Sequence, residues 1–259
     1  MIVTTARKQV DRLKEKAQAY VAQFNGVFIE RQQRSIEDFY REFGEQPLLI
    51  VAKDKLILHR DAHAAPFYYH PNAALLRYKQ WKKTGHDPFL SVVGLSEGES
   101  MIDATLGMGA DAILAQVAVG SSGSVTGLEA NPYIAFIVKH GLANWAEGDD
   151  QFTTSLQNIH VVQTENLAYL KECPSESVDV VYFDPMFEVS MHSPGLAGLK
   201  QFASYQPLTE EVVEEAKRVA KQKIVLKNQS SSPLFARLGF SVHYRPHASF
   251  QYGIIQKNL

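Results

Sequence analysis

With 259 residues, 45% of them hydrophobic and 21% charged, the chain reads as a soluble globular protein. It has room for one large α/β domain, or for a domain of ordinary size with a smaller appendage. No run of eighteen apolar residues occurs, which argues against a membrane span, and the opening residues lack the apolar core of a secretion signal. A single cysteine, Cys173, excludes an intrachain disulfide and a cysteine-built metal site, and the nine histidines form no pair at metal-ligand spacing. A cytoplasmic protein with no bound metal is expected.

The net charge of −2 hides an asymmetry. Residues 1–95 carry 15 Lys and Arg against 10 Asp and Glu, whereas residues 96–259 carry 11 against 18. A basic front half suits a nucleic-acid partner, because Lys and Arg displace counterions from phosphates; a solvated surface is the plainer reading, and charge alone leaves both open. In chain order, Thr5 to Phe24 reads as an amphipathic helix, with Val10, Leu13, Ala17, Tyr20, Val21 and Phe24 on one face and Asn25-Gly26 as its stop. Its other face carries Arg7, Lys8, Arg12, Lys14 and Lys16. A short strand over 27–30 follows, then a helix begun by Ser35-Ile-Glu-Asp38 and ended by Gly44. Leu48–Ala52 and Leu56–His59 read as paired strands. The first 66 residues are thus expected to form a small α+β unit.

Pro71-Asn72 marks the start of a helix running through Trp81 that presents Arg77, Lys79, Lys82 and Lys83. With Tyr68 and Tyr69 this stretch fits base stacking with phosphate contacts, or equally the packing of a junction. From about residue 87 the alternation becomes regular. Strand-like runs at 100–104, 124–129, 159–163, 178–184, 223–227, 240–244 and 250–255 are spaced by helical patterns, except that the last two are joined by only Arg245 to Ser249. That connection is too short for a parallel crossover and requires a hairpin. The expected fold is a doubly wound, mostly parallel seven-stranded α/β sheet with one inserted antiparallel strand. This Rossmann-like shape is that of class I S-adenosylmethionine-dependent methyltransferases.

In such sheets ligands bind beyond the carboxyl ends of the strands, at the point where strand order reverses. The first of these strands ends in Asp103, and Gly107 and Gly109 form a turn into the next helix that lets the backbone approach a ligand. The spacing is neither Gly-x-Gly-x-x-Gly nor a P-loop, which disfavours a dinucleotide or a triphosphate. Glu129 ends the second strand, where a carboxylate accepts from a ribose diol. Glu165 follows the third, within reach of an adenine amino group. The fourth ends in Asp184-Pro185-Met186-Phe187, which resembles the Asp/Asn-Pro-Pro-Tyr/Phe motif of methyltransferases acting on exocyclic amines of bases. Such a nitrogen is a poor nucleophile because its lone pair is delocalised into the ring; an oxygen accepting from its N–H groups returns density to it. Asp184 is the expected acceptor, Pro185 the turn beside it, and Phe187 the platform for the base. The long stretch between Phe187 and Thr209, with Lys200, Phe202 and Tyr205, reads as a substrate-side lid. Lys227 ends the fifth strand, where it reaches the target base or a phosphate, or remains a surface lysine.

His70-Pro-Asn-Ala, Asp103 to Ala112, Tyr182 to Phe187 and Lys223 to Lys227 together resemble the small-subunit rRNA guanine-N2 methyltransferase J family, over residues 67–259. The resemblance implies S-adenosyl-L-methionine as cofactor, with contacts at Asp111, Glu129, Ala130, Glu165, Asn166 and Asp184. It also implies RNA as partner, ribosomal RNA or the small subunit. The chain departs from the family pattern at Ala110 and Ala130, where the family has Arg, at Glu165-Asn166, where it has small hydroxyl residues, and at Glu188, where it has Pro. Methylation of a small molecule or a protein amide, or cofactor binding without catalysis, are the alternatives.

Overall fold

The computed structural model describes residues 1–8, 10–185, 197–202 and 207–257. Two compact units emerge, one of residues 1–70 with the described part of 191–203, the other of 71–190 with 204–259. The first begins with β1 (Ile2–Thr5), α1 (Val10–Gln23), β2 (Val27–Phe28), α2 (Ile36–Phe43), β3 (Leu48–Val51) and β4 (Leu56–His59). Its sheet has the order β2-β1-β3-β4, parallel but for the β3–β4 hairpin. The amphipathic helix expected from Thr5 therefore begins five residues later. Ile2, Val3, Thr4 and Thr5 are all β-branched, all buried and lie in an interior strand, where branched side chains pack better than in a helix. α2 carries the expected capping box, the Ser35 hydroxyl accepting from the Asp38 N–H and the Asp38 carboxylate from the Ser35 N–H.

The second unit contains α3 (Asn72–Thr84), α4 (Pro88–Val93), β5 (Ser100–Asp103), α5 (Ala110–Val119), β6 (Ser124–Glu129), α6 (Pro132–Asn144), α7 (Asp150–Asn158), β7 (His160–Gln163), α8 (Asn166–Glu172) and β8 (Val178–Phe183). After the four-residue α9 (Ala197–Lys200), which belongs to the first unit, it resumes with α10 (Glu210–Val219), β9 (Ala220–Gln229), α11 (Leu234–Arg237), β10 (Ser241–His243) and β11 (Phe250–Gln256). The sheet order is β10-β11-β9-β8-β5-β6-β7. Every neighbouring pair from β7 to β9 is parallel, and β11 lies antiparallel to both β9 and β10. This is the expected doubly wound sheet with its inserted strand. Among the described residues no helix is long and apolar enough to cross a membrane.

Strand order reverses between β5 and β8, and the chain after β5 is tied to both neighbours. Ala104 N–H donates to the Tyr182 carbonyl (2.9 Å) and Leu106 N–H to the Leu128 carbonyl (2.9 Å). Gly109 enters α5 at φ 74°, in the left-handed region that favours glycine. Beneath the turn Gly127 leaves room for Leu106, since a Cβ there would lie 2.5 Å from Leu106 Cδ1. Gly127→Ala must therefore displace a buried leucine inside the turn. We expect it to cost about 1–3 kcal/mol, checked by urea denaturation; an unchanged midpoint contradicts this packing.

Candidate active site

Asp103 and Asp184 follow from adjacent strands, and the two segments are laced together: the Asp184 N–H donates to Thr105 Oγ1 at 2.6 Å. Asp103 is 2% exposed and accepts from the Thr105 N–H at 3.1 Å. Burial pushes its carboxyl up to about 8, with the charges of Asp111 and Asp184 adding to the effect. One strand over, Glu129 accepts from the Asn131 N–H at 2.9 Å, and the Gly107 N–H of the glycine turn is also aimed at it. Burial raises the Glu129 carboxyl, and the charge of Glu165 raises it further, so the two acids share one local field. Glu165 is exposed and stands at the N-cap of α8, with Asn166 half-buried behind it. Ala130 is half-buried, and its carbonyl accepts from Gln163 Nε2 at 3.3 Å.

Behind these acids runs a chain of alternating charges. Arg77, from α3, donates to both oxygens of Asp87 (3.0 Å each) and to Asp111 Oδ1 (2.6 Å). Asp111 Oδ2 accepts from the Tyr182 hydroxyl (2.7 Å) and from Lys227 Nζ (3.2 Å), and Lys227 Nζ also donates to Asp184 Oδ2 (2.6 Å). Asp87 and Asp111 are 4% and 6% exposed, whereas Asp184 retains 28%. Although burial opposes it, Lys227 and Arg77 hold the Asp111 carboxyl well below the usual carboxylate range. Burial raises Asp184, Asp111 adds to the rise, and Lys227 opposes it.

Two expectations change here. Lys227 is neither a surface lysine nor turned toward a phosphate; it bridges two carboxylates. Arg77 faces inward rather than joining a basic helix surface, and Lys82 of the same helix pairs with Asp149 at 2.9 Å. Asp111 has both oxygens engaged by the fold, so its carboxylate is turned inward. Phe187, and most of the expected lid, lie outside the described residues. Pro185, half-buried, follows Asp184 directly. Sequence reasoning missed Tyr182 and the role of Arg77. Ala74 and Tyr78, both buried, stand i,i+4 on one face of α3, and Arg77, three residues after Ala74 and next to Tyr78, flanks that face. It also missed a collar on the hairpin: Phe250 lies under both Lys227 (5.0 Å) and Arg245 (4.4 Å).

The SAM_MT family model, described as "Putative SAM-dependent methyltransferase", matches residues 42–245. The chain belongs to this methyltransferase family. It is 36% identical to the uncharacterized protein YpiP of Bacillus subtilis (strain 168) over 256 residues, 98% of this chain and 99% of that one. It is 25% identical over 215 residues to Ribosomal RNA small subunit methyltransferase J of Alteromonas mediterranea, covering 80% of this chain and 79% of that enzyme. Among solved structures, the SAM-dependent methyltransferase NGO1261 of Neisseria gonorrhoeae shares the fold with a TM-score of 0.64 at 16% identity, over 99% of this chain and 96% of that one.

The methyltransferase cofactor is S-adenosylmethionine, and the donor set fits it. The glycine turn meets Glu129, whose carboxyl feels the charge of Glu165; such carboxylates suit ribose hydroxyls, amino groups and a cationic sulfonium, whereas a polyphosphate would be repelled. The cleft also makes a pH prediction. The folded pKa of Asp103, about 8, lies above its ordinary value of 3.8. Its contribution to stability is thus complete below about pH 4 and lost as pH rises through about 8. Asp103→Asn should flatten the decline in stability between pH 5 and 8.5 measured by urea denaturation of the ligand-free protein. An undiminished decline contradicts the assignment.

Proposed function

We propose that this methyltransferase acts on an exocyclic amine, guanine N2 of ribosomal RNA being the substrate class best supported. The observation that carries the reading is Asp184. It stands where strand order reverses, is anchored by its N–H to Thr105, and is the most exposed carboxylate of a charged chain. The Asp-Pro-Met-Phe stretch and the likeness to the Alteromonas rRNA enzyme support the choice of a base amine. Exposed Lys8 and Arg12 in the first unit, and Lys79 and Lys83 on α3, support a phosphate-bearing partner.

In this reading Glu129 holds the ribose hydroxyls, Gly107 and Gly109 bring the backbone against the cofactor, and Glu165 with Asn166 meets the adenine. Asp103 shapes the turn from beneath. The bound cofactor supplies an electrophilic methyl group whose bonding pair departs with sulfur. Asp184 accepts a hydrogen bond from the amine and orients its lone pair, then takes the proton that the nitrogen sheds. A raised carboxyl suits that second task, because a more basic oxygen is a better proton acceptor. Pro185 fixes the chain direction beside it, and Phe187 supplies the stacking face for the base.

Two variants separate binding from chemistry. Glu129→Ala removes a charged hydrogen-bond acceptor worth about 1.5–3 kcal/mol. Calorimetry should show S-adenosylhomocysteine bound roughly 10- to 100-fold more weakly; unchanged affinity rejects the ribose role. Asp184→Ala should bind that ligand normally yet lose about 10²–10³-fold in methyl transfer, and full activity would remove the catalytic assignment. The substrate is tested by nucleoside mass spectrometry of ribosomal RNA from a deletion strain. Loss of an N2-methylguanosine is expected; an unchanged profile overturns guanine N2 of rRNA.

A further inference from the structure

The charges behind the cleft do not balance. Among the described residues Asp87, Asp111 and Asp184 are paired with Arg77 and Lys227, three acids against two cations. Asp87 is matched by two bonds from Arg77, and Asp111 by Arg77, Lys227 and the Tyr182 hydroxyl. Among the described residues the Asp184 carboxylate has the Lys227 ammonium, at 2.6 Å on Oδ2. Lys227 itself is 17% exposed, and its position is fixed on one side by Asp111 and on another by the Phe250 ring. It is therefore held, rather than solvated, at the closed end of the cleft.

We propose that Lys227 is a positioning residue for methyl transfer: it fixes the Asp184 carboxylate through Oδ2 and so leaves Oδ1 to receive the amino group. This deepens the reading of Asp184 given above and rests on it. A carboxylate that spins presents either oxygen, and neither in a fixed direction. One pinned by a buried ammonium presents a single oxygen, and alignment of the reacting lone pair depends on that. The same contact keeps Asp184 charged. Without it, Asp184 would face Asp111 from α5 and Asp103 from β5, with Tyr182 from β8 beside it and only the more distant Arg77 from α3 as a cation. Burial among those acids favours the protonated form, which cannot accept through both oxygens or take a proton.

The first arm of the test needs no substrate. In protein labelled with carboxyl-¹³C aspartate, the Asp184 signal is identified by its absence from Asp184→Asn, and its titration midpoint is followed by NMR. Removing a neighbouring cation disfavours the carboxylate, so in Lys227→Met the midpoint should move to higher pH by about one unit or more, and Lys227→Arg should restore it. Lys227→Gln carries the same test should the methionine variant not fold. Retained binding of S-adenosylhomocysteine certifies the fold in each. With tritiated cofactor and total RNA from the deletion strain, Lys227→Met should lose about tenfold or more in rate near neutral pH. Its acid limb should shift upward, so that part of the activity returns at higher pH. A midpoint and an acid limb that both stay at the wild-type position overturn the proposal, even while Asp184→Ala remains inactive. Full activity of Asp184→Ala would instead remove the reading on which it rests.

Discussion

A buried arginine between two carboxylates organises the catalytic unit. Arg77 belongs to α3, Asp87 caps α4, and Asp111 lies in the first turn of α5. Through Asp111 the chain reaches Tyr182 on β8 and Lys227 on β9. Three helices and two strands are thus tied by one sequence of charges. Such a network adds little net stability, because desolvation of each ion offsets most of the attraction; breaking one link, however, leaves a charge uncompensated at a cost of about 3–5 kcal/mol. What the network supplies is a geometric tie: Arg77 of α3 satisfies Asp87 and Asp111 together in this packing. Asp184 inherits that definition, since it is the last member of the chain.

The sheet provides the complementary constraint. Because strand order reverses between β5 and β8, the crossovers leaving those strands diverge, and a crevice opens at their carboxyl ends. The glycine turn is narrow enough to enter the crevice only because Gly127 admits Leu106 beneath it. Its Gly107 N–H then reaches Glu129 on the next strand. Glu129 thereby orders the turn. The inserted β11 closes the other side, bringing Phe250 and Arg245 to the same end of the sheet as Lys227.

The elements of the sheet were legible in the sequence because each strand is a short apolar run ended by an acid or a turn, and a five-residue connection can only be a hairpin. Asp103, Glu129, Glu165 and Asp184 stood out for the same reason, as strand ends are local features. The destinations of Arg77 and Lys227 were not legible. A basic residue on an amphipathic helix looks solvated unless its partner is known, and Asp111 lies 34 positions from Arg77 and 116 from Lys227. Pairing across that separation is a property of the assembled fold. The misplaced first helix has a different cause: the helical period of Val10 to Phe24 was extended backward through Thr5, although four consecutive β-branched residues announce a strand.

Asp103 and Asp184 show how the same side chain at matching strand ends is given two roles. Both are drawn out of water, and for both burial is the largest influence on the carboxyl. Among the described residues Asp103 is answered by a backbone N–H and feels Lys227 from afar, so burial pushes its carboxyl up to about 8. Asp184 has the ammonium in direct contact, which opposes the rise that burial imposes on its carboxyl. Two ionised acids side by side would repel one another at the floor of the cleft. Placing the Lys227 ammonium against Asp184 rather than Asp103 eases that conflict, and in the proposed reading leaves Asp103 to shape the turn and Asp184 to face the substrate.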